Sequence, residues 1–119
     1  MSEEKLESSK LLLEAKNYRD SISRSYYSIF SAIRAVLALN GTDFRKHSAI
    51  ISVFRKEYIK TGIFDNKYSD IIGVAFDARS KSDYDEFFIF FKSDAEEQYN
   101  NANEFLEAVK SYLDNKIKE

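Results

Sequence analysis

The sequence predicts an all-α fold, a four- to five-helix, up-down antiparallel bundle, and three observations predict it. No proline interrupts the 119 residues, so no position is denied its helical hydrogen bond on that account. Apolar residues recur at the 3.6-residue period along most of the chain. A content of 44% hydrophobic and 15% aromatic residues, with ten Phe and eight Tyr, supplies a core for a domain of this size. Residues 1–119 are therefore expected to form a single helical domain.

The elements follow in order. Ser2 is placed to cap a first helix that runs to about Lys16, with Leu6, Leu12 and Leu13 on its apolar side. Asn17 is the residue type that tolerates a left-handed C-cap. A second helix is predicted over Tyr18–Leu39, where Ile22, Tyr26, Ile29, Ile33 and Val36 fall at spacings of 4, 3, 4 and 3. Asn40-Gly41 stops it, and Thr42 to His47 is a short polar connection. A third helix from about Ser48 to Lys60 buries Ile51, Phe54 and Tyr58, and Thr61-Gly62 ends it. Asp65 caps a fourth helix through about Ser80, with Tyr68, Ile72, Ala75 and Phe76 facing inward.

The run Phe87-Phe88-Ile89-Phe90-Phe91 is too short for a membrane span and has no partner strand. It is expected as an apolar, partly helical connector pressed into the bundle. Ser93-Asp94-Ala95-Glu96 fits a capping box that opens the last helix. That helix carries Ala95, Tyr99, Ala102, Leu106, Val109 and Leu113 on one stripe.

Composition then removes whole classes of chemistry. Without cysteine there are no disulfides, thiolate metal sites or cysteine nucleophiles. One histidine cannot supply a site built on two imidazoles within a chain. Three glycines leave no phosphate-cradling loop, and no EF-hand pattern organises the acids into a metal site. No cofactor and no metal are implied. No apolar run approaches the roughly 18 residues of a membrane helix, and the start Met1-Ser2-Glu3-Glu4 does not read as a signal peptide. A soluble, cytoplasmic protein without membrane contact is expected. Net charge is −2 but unevenly spread: residues 41–82 hold 8 basic and 5 acidic side chains, residues 83–119 hold 4 and 10. The middle is mildly cationic, which permits nucleic acid without demanding it.

Three features break the bland pattern. Arg79 continues the apolar line Tyr68, Ile72, Ala75, so a core line ends in a guanidinium. Such a group must reach solvent, pair with Asp83 or Asp85, or face a polar cleft where its donor fork suits phosphate. On the second helix Arg24, Ser28, Ser31 and Ala35 form a narrow strip of mostly small residues. It is either a solvent face or one that lets another helix or subunit approach closely, a possible dimer or cleft face. His47 is either a structural histidine near a helix start or a secondary acid–base group.

These residues also carry a resemblance. Ile22-Ser23-Arg24-Ser25-Tyr26-Tyr27-Ser28-Ile29-Phe30-Ser31-Ala32 resembles the x-R-x-Y-Y-x-x-F-x-A signature of small HEPN-domain proteins. His47-Ser48 through Phe54 resembles that group's H-S-x-x-I-x-x-F, and Arg79 through Asp85 its R-x-x-x-D-Y-D. The resemblance implies the helical bundle already described and a homodimer whose subunits meet in a cleft that binds RNA or a nucleotide. It also implies a role as the toxin of a toxin–antitoxin pair with a nucleotidyltransferase-type antitoxin, often acting as a metal-independent endoribonuclease. It makes Arg79 the motif arginine, with Arg24 near the same cleft and Tyr84 and Asp83 in support. The sequence departs from the R-x(4–6)-H motif, because positions 84 to 86 hold Tyr84, Asp85 and Glu86. Without an imidazole there, the usual help to 2′-hydroxyl attack is missing, and a phenol is a poor base near neutral pH. Binding without efficient cleavage is one reading. The alternative is a non-catalytic helical module that docks a partner protein.

Overall fold

Five α-helices, α1 (Ser2–Glu14), α2 (Tyr18–Leu39), α3 (His47–Phe54), α4 (Lys67–Tyr84) and α5 (Lys92–Lys118), make up the computed structural model, which describes residues 2–39, 41 and 46–118. No strand occurs among the described residues. Asn40, residues 42–45 of the expected connection and the side chain of His47 lie outside the description. The backbone of His47 opens α3.

α2 is the central helix and has the bounds its apolar stripe predicts. Ile22, Tyr26, Ile29, Ile33 and Val36 are all buried, as are Phe30 and Leu37. Gly41, in the left-handed region at φ 72°, turns the chain away and bonds its N–H to the Ala38 carbonyl at 3.0 Å. α1 returns antiparallel along α2. Between them the left-handed residue is Lys16 at φ 66°, not Asn17 as expected. The N–H of Lys16 bonds the Leu13 carbonyl and that of Asn17 the Leu12 carbonyl, the paired pattern that closes a helix C-terminus. Asn17 then starts α2, its carbonyl accepting from the Ser21 N–H at 2.9 Å.

Leu12 and Leu13 are only half-buried. What docks α1, besides Leu6, is a set of fully buried serines. The Ser9 hydroxyl lies 2.7 Å from that of Ser25 and 3.0 Å from that of Ser21, and the Ser21 hydroxyl donates to the Ser9 carbonyl at 2.8 Å. Their small side chains let the two helices come close, and each hydroxyl finds a partner, so their burial is not penalised. The small-residue strip on α2 lies partly inside the chain: Ser28, one turn beyond Ser25, is buried, its hydroxyl donating to the Ser25 carbonyl at 2.8 Å.

α3 ends in a π-helical turn, Arg55–Ile59, in which the Lys60 N–H reaches the Arg55 carbonyl five residues back. The wider turn puts both Tyr58 and Ile59 in the core. Phe54, Tyr58, Phe64, Tyr68, Phe105 and Tyr112 stack there in one aromatic cluster that ties α3, α4 and α5 together. Asp65 does cap α4, accepting from the Lys67 N–H at 2.9 Å.

Two expectations change at the far end. α4 continues to Tyr84, four residues beyond the expected end, so Arg79 and Asp83 share one helix. The segment 87–91 is not pressed into the bundle: Phe87 is 87% exposed and Ile89 72%. Only Phe90 is half-buried, beside Arg19 of α2; the other four face solvent to a greater degree. The cap of α5 is also shifted, since Asp94 reaches back to the Phe91 N–H at 2.8 Å while the Phe91 carbonyl accepts from residues 94 and 95. The flanking residue is thus Phe91 and not Ser93. Along α5, Ala95, Ala102, Leu106 and Val109 are buried as expected, joined by Phe105 and Gln98.

Candidate functional site

α2 and α4 run antiparallel, which sets the first turns of α2 beside the last turns of α4. Arg79, on the inner side of α4, is held there by three kinds of contact. Its Nη2 donates to the Tyr27 hydroxyl at 3.0 Å. Its Nε lies 2.9 Å from Asp83 Oδ2, an ion pair one turn along the same helix. The guanidinium carbon also sits 5.5 Å from the ring centres of Tyr26, Tyr27 and Tyr84. With only 16% of its side chain exposed, the arginine is neither buried unpaired nor released to solvent.

The electrostatics follow from this setting. The Tyr27 hydrogen bond raises the Arg79 pKa above its ordinary value, against the opposing effect of burial, so the group stays charged. Burial pushes the neighbouring Tyr26 phenol up to about 12, although the Arg79 charge draws it the other way. The Asp83 carboxylate is further held by the Ser23 hydroxyl at 3.2 Å. Nε–H of Arg79 is not aligned on that carboxylate as a hydrogen bond, so the pair is electrostatic rather than tightly directed.

Leu12, Asp20, Ser23, Arg24, Tyr27 and Asp83 line an open cleft of about 410 Å³ over this cluster. Arg24 is exposed at its rim and Arg79 stands behind its wall, in contact with the lining residues Tyr27 and Asp83. Arg24, Arg79, Asp83 and Tyr84 are therefore gathered in one region. Of the small-residue strip, Ser31 is half-buried one turn beyond Tyr27, Ser28 is inside the chain, and exposed Ala35 lines a different groove between α1 and α5. Among the described residues no group of three or more carboxylate or imidazole side chains comes together to hold a metal ion.

Two contributors were not read from the sequence. Tyr27 supplies the hydroxyl that orients Arg79, and its place in the Tyr-Tyr pair, three residues after Arg24, was the available signal. Arg19 had no signal. From the first turn of α2 it donates to the carbonyls of Lys81 and Ser82, at 3.0 and 2.7 Å, and to that of Phe88. It also lies 5.4 Å from the Phe90 ring centre. It thus fixes the end of α4 and the aromatic segment against the cleft.

The arrangement is one of a preoriented guanidinium beside an open polar cleft, on a bundle of the predicted kind. The HEPN domain family matches residues 1–112. The chain belongs to the HEPN family. A Methanocaldococcus jannaschii protein named "Putative toxin MJ0142" is 34% identical over 112 residues, 94% of this chain and 76% of its own. A Thermotoga maritima protein named as a UPF0332 protein is 28% identical over 109 residues, 92% of this chain and 83% of its own. A second M. jannaschii protein, "Putative toxin MJ0605", is 34% identical over 84 residues, 71% of this chain and 63% of its own. No helix of this HEPN chain among the described residues is long and apolar enough to cross a membrane.

Proposed function

We propose that this HEPN protein binds RNA or a nucleotide by its phosphate in the α2–α4 cleft, and that it holds the strand without cleaving it efficiently. The observation that carries the reading is Arg79, a charged guanidinium oriented by Tyr27 and framed by three tyrosine rings at the wall of a cleft whose rim bears Arg24. In this reading the Asp83 carboxylate occupies the guanidinium until a phosphate offers better-aligned oxygens. Arg24 adds a second cation, and Tyr84, whose ring faces Arg79 yet is 76% exposed, stacks or hydrogen-bonds to the bound group. No imidazole occupies positions 84 to 86, so a base for the 2′-hydroxyl is lacking. Relatives named as toxins support a toxin-like role; the partner we propose for it is a nucleotidyltransferase-type antitoxin.

A fluorescein-labelled single-stranded RNA titrated with the protein is expected to gain anisotropy, and to lose it steeply between about 50 and 200 mM salt. The same RNA incubated in EDTA stays full length on a denaturing gel. Absence of binding at low salt would sink the reading, and rapid shortening of the RNA would remove its holding clause.

The homodimer is proposed through the Tyr27 and Ser31 side of α2, which brings two Arg79 clefts together. Ser31→Arg is then expected to give monomers in sedimentation equilibrium, and a persistent dimer places the interface elsewhere. The second reading, a non-catalytic module that docks a protein, is favoured by the same Arg79–Asp83 pair, since a paired arginine already has a structural task. It predicts no RNA binding at any salt.

A further inference from the structure

Among the described residues, a cavity larger than the arginine cleft lies elsewhere. A groove of about 710 Å³ opens on the other side of α2, between the start of α1 and the second half of α5. Its floor is apolar: Leu6, Ala32, Leu106 and Val109 are buried there, and Ala35 lies exposed beside them. Small alanines on α2 make the floor deep, because no long side chain fills the angle between α1 and α5. The lining residues on α5 run from Asn103 to Ile117, a length of about 21 Å at 1.5 Å per residue. Ile117, at the open end, is 77% exposed.

The walls are acidic. Glu3, Glu4, Glu107 and Asp114 line the groove against one cation, Lys110, whose ammonium lies 3.6 Å from Glu3. This balance bears on what can occupy it. A second copy docked about a twofold axis would face these acids with the same acids, an arrangement that like charges oppose. Helix α3 of another copy is cationic at its ends, but its apolar residues Ile50, Ile51 and Phe54 are already in its own core. A groove with an aliphatic floor, acidic walls and the length of about four helical turns instead fits a helix with apolar residues on one face and lysine or arginine on its flanks.

We propose that the α1–α5 groove is a docking site for a basic amphipathic helix of a partner protein. Apolar residues at i, i+3, i+4 and i+7 of that helix seat over Ala35 and Leu106, while its flanking cations meet Glu107 and Asp114 on the α5 wall. The site is separate from the Arg79 cleft and does not depend on RNA binding.

The test uses the intact chain and a fluorescein-labelled peptide of about 14 residues, with leucine at the four anchor positions and lysine elsewhere. A twin peptide carries glutamate in place of each lysine. The lysine peptide is expected to bind and the glutamate twin to fail. Glu107→Lys/Asp114→Lys should weaken the lysine peptide by about tenfold or more, as roughly 1.4 kcal/mol of lost attraction implies. Ala35→Trp, which fills the floor from an exposed position, should weaken it as well. Glu96→Lys/Glu97→Lys, the same charge change on the exposed first turns of α5, should leave it unaltered. Equal loss in the two charge-reversed proteins would overturn the proposal, since the attraction would then be to overall charge. So would equal binding of both peptides, or a wild-type dimer that Ala35→Trp converts to monomer, which would give the groove to a second copy. Should Ala35→Trp fail to fold, the surface charge reversals decide the matter alone. Anisotropy with labelled RNA, unchanged in these variants, separates this site from the arginine cleft.

Discussion

Arg79→Ala is expected to remove salt-dependent RNA binding and to lower stability by about 2 kcal/mol, the scale of a lost charged hydrogen bond and cation–π contacts at a largely buried site. Both effects arise from one side chain, so the variant alone does not separate binding from folding. The structure offers a way to do so. Arg79→Ala leaves the Asp83 carboxylate beside tyrosine rings without its cation, and adding Asp83→Ala removes that liability. The double variant is expected to recover part of the lost melting temperature while RNA binding stays absent. Arg79→Lys keeps the charge but not the fork that spans Tyr27 and Asp83, and should hold RNA more weakly than wild type. If Arg79→Ala melts early yet binds RNA with unchanged affinity, the arginine is a structural clamp and the cleft is not the RNA site.

The second large effect lies in the serine seam. Ser25→Leu puts a branched side chain where a hydroxyl sits 2.7 Å from Ser9, at a fully buried position between α1 and α2. Overpacking costs about 1–3 kcal/mol, and a branched side chain that pushes α1 off α2 also strains the Ser9–Ser21 hydrogen bonds of the seam, a further cost of about 1 kcal/mol. A fall in melting temperature of about 10 °C or more is expected by circular dichroism. Ser25→Ala should cost far less, because the Ser9 hydroxyl keeps the Ser21 carbonyl as a partner at 2.8 Å. Equal losses in the two variants would show that the hydroxyl, and not the closeness of the helices, is what the seam requires.

Where apolar residues kept a helical period, the sequence announced its structure. The stripe from Ile22 to Val36 located α2, and the flanking turn residues put its ends at about Tyr18 and Leu39, where they lie. Where burial is polar, it announced nothing. Ser9, Ser21 and Ser25 are as buried as any isoleucine, but a hydropathy pattern registers serine as surface. The opposite holds at residues 87–91, where strong hydrophobicity without a period marks exposed chain and not core. α4 outran its expected end because residues 81–84 carry helix-compatible side chains with no apolar marker.

The site was legible to the extent that it broke a pattern. Arg79 stood out as a cation on a core line, and Asp83, four residues on, was within reach of helical arithmetic. Tyr27 is 52 positions away, and only the antiparallel packing of α2 on α4 brings its hydroxyl to the guanidinium. The small-residue strip illustrates the same limit. Its spacing left open a solvent face or the close approach of another helix or subunit, and Ser28 is buried within its own chain.

Arg19 joins residues 69 positions apart in the chain when it takes the Phe88 carbonyl. The segment it holds is otherwise mostly exposed, with Phe87, Ile89 and Phe91 open to solvent, so few buried contacts oppose its release. Residues 85–91 are therefore expected to exchange their amide hydrogens through a small local opening, well before the fully buried serine seam lets go. The aromatic segment beside the arginine cleft is thus a latch with its own equilibrium, set by one guanidinium rather than by the stability of the whole fold.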